Sequence, residues 1–247
     1  MGMKQWLNQI GHSTADFDRL NIVHVAGTKG KGGTCAFIES FLRTVGKRTG
    51  FPRKTGLYTS PHLIYPEERI RINFQPIARD LFAKYFFEVW EALSNDQGTS
   101  HRLPCYLQLM ALVAFHAFIK EGVDAAIFEI HHGGEYDSTN VVEHPVATVI
   151  TPLGMDHVNE LGPTMENIAW HKAGIIKNGS RAFSSLQEDS AAENAPQLKP
   201  DVQRTNFSVA LAATHCFLEE KSPNKVISLL SSDISNGINQ FYWPGRF

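Results

Sequence analysis

The sequence predicts an α/β protein: a mostly parallel sheet flanked by helices. Two observations carry this. Short apolar runs bounded by turn residues recur near 22–26, 55–62, 125–130 and 145–150, and segments of helical spacing separate them. Strands that alternate with helices build parallel sheets, because each crossover returns the chain to the same end of the sheet. A third observation places a site. Gly27, Ser60, Glu129 and the stretch 151–157 all follow strand-like runs, at the carboxyl ends where open α/β sheets gather ligands.

Taken in order, 22–26 reads as a buried parallel strand, followed by a glycine-rich loop and a helix to about 45. Residues 55–62 form a short strand ending in a Ser60-Pro61 loop. The alternation at 69–73 suits a half-buried strand. Helical spacing returns at 79–93 and at 106–120. The run 125–130 is apolar except for Glu129, and 145–150 is another short strand. Helical character resumes at 168–176. The stretch 184–200 is rich in Ser, Ala, Glu, Asn and Pro and reads as a linker. Residues 202–221 suit a further helix, with Phe207, Leu211, His215 and Leu218 near one stripe. Residues 222–247 have no clear period and end in an apolar tail, 241–247.

The 247 residues suffice for one large domain or one and a half small ones. A net charge of −2 without a basic block argues against a nucleic-acid partner. No apolar run is long enough to span a bilayer, and residues 1–11 hold no secretory apolar core. The expected compartment is therefore the cytoplasm, with a mitochondrial address left open. Cys35, Cys105 and Cys216 lie far apart and form no C-x-x-C pair, so reduced, buried thiols are expected.

The stretch Gly27-Thr28-Lys29-Gly30-Lys31-Gly32-Gly33-Thr34 carries the strongest chemical signal. Glycines let a backbone approach an anion, the N-terminus of the following helix adds partial positive charge, and a loop lysine reaches the outer phosphates of a nucleotide. The spacing is shorter than the general G-x-x-x-x-G-K-[ST] pattern, and Gly32 follows the lysine. A flexible Gly-Lys turn is the alternative. The strand before the loop and the helix after it favour phosphate binding.

ATP-driven ligation of an acid to an amine also needs magnesium, which takes oxygen ligands and keeps several waters. Ser60, Glu129 and His157 are the candidate ligands. Each has a plainer alternative: Ser60 as a turn residue, Glu129 as a costly buried carboxylate at a strand end, His157 as a core histidine bonded to Asp156. Lys172, read alone, is a solvated helix lysine. His131 and His132 beside Glu129 and Glu135 suggest zinc, but adjacent residues on an extended chain point to opposite faces, so both histidines hardly share one ion. No G-x-S-x-G elbow occurs, which removes the α/β-hydrolase alternative.

Six segments in order resemble folylpolyglutamate synthase, of the Mur ligase superfamily. They are 23–32, Tyr58-Thr59-Ser60-Pro61-His62-Leu63, Glu68-Arg69-Ile70-Arg71-Ile72-Asn73, 133–142, Asp156-His157 and 168–175. Weaker matches follow at Gln203-Arg204-Thr205-Asn206 and Trp243-Pro244-Gly245-Arg246. The resemblance implies a P-loop NTPase-like central domain over 1–180 that binds ATP. A linker or shortened insertion would cover 181–201. Residues 202–247 would be a residual helix and tail leading to a Rossmann-like C-terminal domain that is missing from this sequence. It further implies addition of L-glutamate to the γ-carboxylate of a folate polyglutamate through an acyl phosphate. ATP and Mg2+ would be required, with a monovalent cation as a further option. Carried over by position, Gly27, Thr28, Lys29, Gly30, Lys31, Gly32, Gly33 and Thr34 hold the nucleotide, with Lys31, Lys172 and His157 as catalytic residues. Ser60, Glu129 and His157 hold metal, Lys172 matches a lysine that relatives carbamylate, and Pro61, His62 and Arg69 face the folate.

The chain departs from the family pattern in four places. Gly33 stands where the family has Ser or Thr, with Thr34 next to it as a substitute. His131 replaces a glycine, which is expected to bring a side chain near the phosphates, with strain if that glycine had a positive φ. The segment between Lys177 and Gln203 is short. The second domain, which closes over ATP in the family, is not in the sequence. Three readings follow: an active ligase, alone or completed by a protein partner; a non-catalytic remnant or pseudoenzyme; and a ligase domain acting on a non-folate carboxylic acid.

Overall fold

A computed structural model describes residues 2–94, 103–185, 201–240 and 243. One sheet of seven strands organises them. The strands are β1 (Val23–Ala26), β2 (Thr55–Tyr58), β3 (Ile70–Ile72), β4 (Gln75–Pro76), β5 (Ala125–Glu129), β6 (Ala147–Ile150) and β7 (Arg181–Ser184), in the order β4-β3-β2-β5-β1-β6-β7. Strands β2, β5, β1, β6 and β7 run parallel, and β3 and β4 close one edge antiparallel. The mostly parallel sheet expected from the sequence is therefore present. β1 sits between β5 and β6, with Val25 opposite both Glu129 and Val149. The loops after β1, β5 and β6 thus emerge side by side.

Helices cover both faces. They are α1 (Met3–Gln9), α2 (Thr14–Asp18), α3 (Lys31–Thr49), α4 (Arg79–Ser94), α5 (Tyr106–Lys120), α6 (Val158–Leu161), α7 (Met165–Ala173), α8 (Asp201–Lys221) and α9 (Ser231–Asn239). Alternate strand residues face opposite layers. Val23, Val25, Ile127 and Val149 meet Phe37, Phe41 and Phe207 of α3 and α8. Ala126 and Phe128 meet Phe115 and Phe118 of α5, with Trp6 and Phe17 of α1 and α2 behind them. The helix α3 ends at Gly50 in the left-handed region (φ +83°), and Lys47 and Arg48 in its last turn complement the helix dipole.

Several local expectations need correction. The segment expected as a linker from 181 begins with β7, an exposed edge strand whose polar composition hides it from an apolar-run reading. Residues 186–200 lie outside the described residues, as does the apolar tail apart from Trp243, which is buried against Phe74. The periodless stretch after 222 contains α9. There Gly237 packs on Phe41, its carbonyl accepts from Ser40 Oγ (2.8 Å), and the buried Asp233 pairs with Arg48 (2.6 Å). Ile234 and Ile238, one turn apart, also pack on the core formed by α3 and α8, so a short apolar stripe and these polar contacts together hold that helix. In α8, Phe207, Leu211 and Leu218 are buried but His215 is exposed. Cys35 and Cys216 are buried free thiols, whereas Cys105 is exposed at the start of α5.

Candidate nucleotide and acceptor site

The loop after β1 is shaped by glycines that nothing larger could replace. Gly27 has φ +140°, and a Cβ there would lie 1.9 Å from Thr151 Oγ1. Gly30 has φ +83° and caps α3, with a Cβ position 2.2 Å from Asn206 Oδ1 on α8. Side chains cannot adopt the first conformation without strain, and neither position has room. The loop is stitched to the segment after β6. Thr28 N and Lys29 N donate to Pro152 O (3.1 and 3.4 Å), Thr151 Oγ1 donates to Lys29 O (2.7 Å), and Thr28 Oγ1 donates to Gly154 O (3.0 Å). The amides of Thr28 and Lys29 are thus already engaged. Those of Lys31, Gly32 and Gly33 open α3 and find no carbonyl among the described residues. Free amides at a helix N-terminus are able to receive an anion.

Two lysines converge on the same loop. Lys31 Nζ and Lys172 Nζ both donate to Gly27 O, at 3.1 and 2.9 Å, so their ammonium groups lie within about 6 Å of each other. Lys172 is 2% exposed, which removes the reading of a solvated helix lysine. Burial, and then the charge of Lys31, lower its pKa from 10.5 to about 8, against the opposing pull of Asp156. Lys172 reaches the loop because α7 is capped by Thr164, whose hydroxyl accepts from Asn167 N (3.3 Å), and because Gly134 packs directly on His171 O. Lys29 is exposed, and its ammonium bonds no described residue.

Glu129 ends β5 beside the loop and is 3% exposed. Its Oε2 accepts from Thr59 Oγ1 (2.5 Å) and Ser60 N (3.1 Å), and its Oε1 accepts from no described residue. Glu129 and Ser60 are therefore adjacent, held together by the Ser60 backbone. His157 is the outlier of the expected trio. It is a left-handed residue (φ +47°) that opens α6, its side chain is 46% exposed, and its N–H donates to Asp156 Oδ1 (3.0 Å). This overturns the core-histidine alternative. Its ring faces that of His132 at 5.3 Å. Among the described residues, no group of three or more His, Cys, Asp or Glu side chains is placed to hold a metal. A buried carboxylate with one unused oxygen beside a serine does suit magnesium, which needs few protein ligands.

His131 does not crowd the phosphate loop, contrary to expectation. Its φ is not positive; the left-handed glycines are Gly133 and Gly134. Its ring turns away, bonding Tyr58 OH through Nε2 (2.7 Å) and Ser138 Oγ through Nδ1 (3.1 Å). His132 is exposed, so the two histidines diverge as the alternation argument required. Below them, Asp137 accepts from the backbone amides of His131, His132 and Thr139 and from Thr139 Oγ1. Burial pushes its carboxyl up, but the His131 ring and Thr139 outweigh it and hold it at about 2.

The acceptor-side loop, 59–69, is built differently. Ser60-Pro61 is a cis peptide. The Glu68 carboxylate accepts from three successive amides, Leu63, Ile64 and Tyr65 (2.9, 3.1 and 2.8 Å). Arg69 is 5% exposed; its Nε donates to His62 Nδ1 (2.9 Å), while its Nη1 is buried without a partner. Its guanidinium lies 5.5 Å from the centre of the half-exposed Tyr106 ring. The sequence reading missed Tyr106 and Glu68 as parts of this region. A tyrosine opening an otherwise apolar helix was the available signal for the first; for the second there was none beyond the motif itself.

Relatives of known kind share this chain's sequence. It is 44% identical over 275 residues to the folylpolyglutamate synthase of Neurospora crassa, covering 99% of this chain and 52% of that protein. It is 46% identical over 257 residues to that of Saccharomyces cerevisiae, covering 96% and 46%. Over nearly its whole length the chain is similar to folylpolyglutamate synthases. Its fold agrees: Escherichia coli FolC, solved in complex with ADP, superposes with a TM-score of 0.73 at 26% identity, covering 98% of this chain and 63% of that one. No protein-family model matches. The chain spans about half the length of the folylpolyglutamate synthases it matches. No helix among the described residues is long and apolar enough to cross a membrane.

Proposed function

We propose that this chain carries the phosphate-binding and acceptor-activating part of an ATP-dependent ligase that adds L-glutamate to the γ-carboxylate of a folate polyglutamate. The observation that carries this reading is the convergence of Lys31 and Lys172 on Gly27 O at the end of β1, beside the Glu129–Ser60 pair. The ADP bound by the Escherichia coli relative supports the nucleotide assignment. In this reading the phosphates lie on the amides of Lys31, Gly32 and Gly33, with Thr28 shaping the loop. Lys29 and Lys31 neutralise the outer phosphates. Ser60, Glu129 and His157 would hold Mg2+, which supplies charge neutralisation at the transferring phosphoryl group.

The acceptor's carboxylate oxygen attacks the γ-phosphorus, the bond to the β-phosphate oxygen breaks, and ADP leaves. The amine of L-glutamate then attacks the acyl carbon, loses a proton, and inorganic phosphate departs as the amide forms. Lys172, uncharged in part near pH 8, sits where it can adjust charge on the phosphate side. Pro61, His62 and Arg69 line the acceptor side. The buried, unpaired Nη1 of Arg69 suits an acceptor carboxylate. ATP- and folate-dependent incorporation of labelled glutamate by the purified chain tests the reading. Incorporation that disappears in Lys31→Ala supports it; a wild-type chain that neither incorporates glutamate nor binds ATP in Mg2+ removes it.

A further inference from the structure

The loop's hydroxyl question has a structural answer. A P-loop lysine is ordinarily followed by a Ser or Thr whose hydroxyl faces the metal and phosphates. Here Gly32 and Gly33 follow Lys31, and Thr34 is the first hydroxyl in the sequence. Thr34 is 0% exposed, and its Oγ1 is buried without a hydrogen-bond partner. An oxygen that no water-sized sphere can touch cannot ligate a hydrated cation or receive a phosphate unless the helix moves. Its backbone is fixed in α3, with Thr34 N donating to Gly30 O (2.9 Å). Gly33, one residue earlier and part exposed, lies in the first turn among the unpaired amides.

We infer that Thr34 is a core residue rather than a nucleotide ligand, and that Gly33 is the affinity-determining position of the loop. The phosphates are gripped by backbone amides and lysines with no side-chain hydroxyl. This rests on the nucleotide reading above. It makes the chain a weak nucleotide binder that a single hydroxyl strengthens. Neither Gly32 nor Gly33 has a positive φ, so a side chain at 33 meets no backbone objection.

The test is calorimetric titration of the full chain with ADP and with ATP in Mg2+, alongside thermal melts. Thr34→Val, which keeps the shape and removes the hydroxyl, should leave nucleotide affinity within about twofold. It should also raise the melting temperature, because an unsatisfied buried hydroxyl is costly. Gly33→Ser should tighten binding about five- to tenfold relative to Gly33→Ala, the value of one added polar contact; the alanine variant absorbs any gain from helix propensity. Two results overturn the inference: a fivefold or greater loss of affinity in Thr34→Val with an unchanged melt, or equal affinities for Gly33→Ser and Gly33→Ala. If wild type and every variant bind no nucleotide, the nucleotide reading fails and this inference with it. The Thr34→Val melt then still reports separately on the buried hydroxyl.

Discussion

The two halves of the candidate site are held by opposite means. On the phosphate side, backbone does the shaping. Gly27, Gly30 and Gly134 admit contacts that any Cβ would block, and the loop is tied to the segment after β6 through Thr151 and Pro152. On the acceptor side, side-chain charge does it. The Glu68 carboxylate gathers three amides and Arg69 is buried against His62 and Tyr106. A surface of glycines tolerates no substitution and does not itself titrate; only the buried Lys172 beside it brings pH to this half. A loop clamped by a carboxylate tolerates more substitution and depends on the charge of its clamp. The first arrangement suits a constant ligand such as a phosphate chain. The second suits a variable acceptor.

The sharpest way to break this contrast is Gly27→Ala. The new methyl would sit 1.9 Å from Thr151 Oγ1 on a backbone at φ +140°. The expected loss is about 3 kcal/mol or more, since overpacking and backbone strain add. Chemical denaturation measures it. A cost below about 1 kcal/mol would mean the loop can re-form elsewhere and is not shaped by close approach.

These residues also differ in how far the sequence revealed them. Gly27, Lys31, Ser60 and Glu129 were visible because each lies in a motif at the carboxyl end of an apolar run, and the parallel sheet brings those ends together; Lys172, on α7, was marked only by the family resemblance. His157 was visible as a residue but not as an exposed left-handed one, since exposure depends on α6 and the neighbouring His132 ring. The direction of the His131 side chain was not legible. It follows from Tyr58 and Ser138, which lie on other segments. The edge strand β7 lacked an apolar run because it is exposed, and the apolar stripe of α9 is only Ile234 and Ile238, too short to stand out beside the polar contacts of Asp233 and Gly237 to α3. Thr34 looked like a substitute for a missing hydroxyl until its burial was known.

An intermediate effect sharpens the contrast through pH. The folded pKa of Lys172 lies near 8, below its ordinary 10.5. Below about pH 8 the protein carries a buried charge and its full cost. Between 8 and 10.5 the unfolded chain binds more protons than the folded one, so wild-type stability rises with pH. Lys172→Met lacks that rise. Its melting temperature relative to wild type should be most favourable below pH 8 and should decline steadily towards pH 10.5, while nucleotide binding falls at every pH. A difference that is flat across this range would mean Lys172 is not a buried charge. Melts at half-unit pH intervals decide it.

The smallest effect belongs to the acceptor side, and its pH sign is reversed. Burial pushes the Glu68 carboxyl up, but the amides of Leu63, Tyr65 and Ile64 outweigh it and hold it below its ordinary 4.5. Its contribution is therefore present above pH 4.5 and is lost as pH falls through the lowered value. Glu68→Ala frees three amides that water can reach, so the global cost should be about 1 kcal/mol. The local cost is larger: exchange of the amides at 63–65 should accelerate well beyond that of the β1 amides, as expected when those three amides lose their shared acceptor. Nucleotide affinity should be unchanged, because Glu68 touches neither the glycine loop nor either lysine. Hydrogen exchange read residue by residue separates the outcomes. If amides 63–65 stay protected, the carboxylate is not the clamp. If nucleotide affinity falls together with that protection, the two halves of the site are one mechanical unit, and the division between a backbone-built and a charge-built half fails.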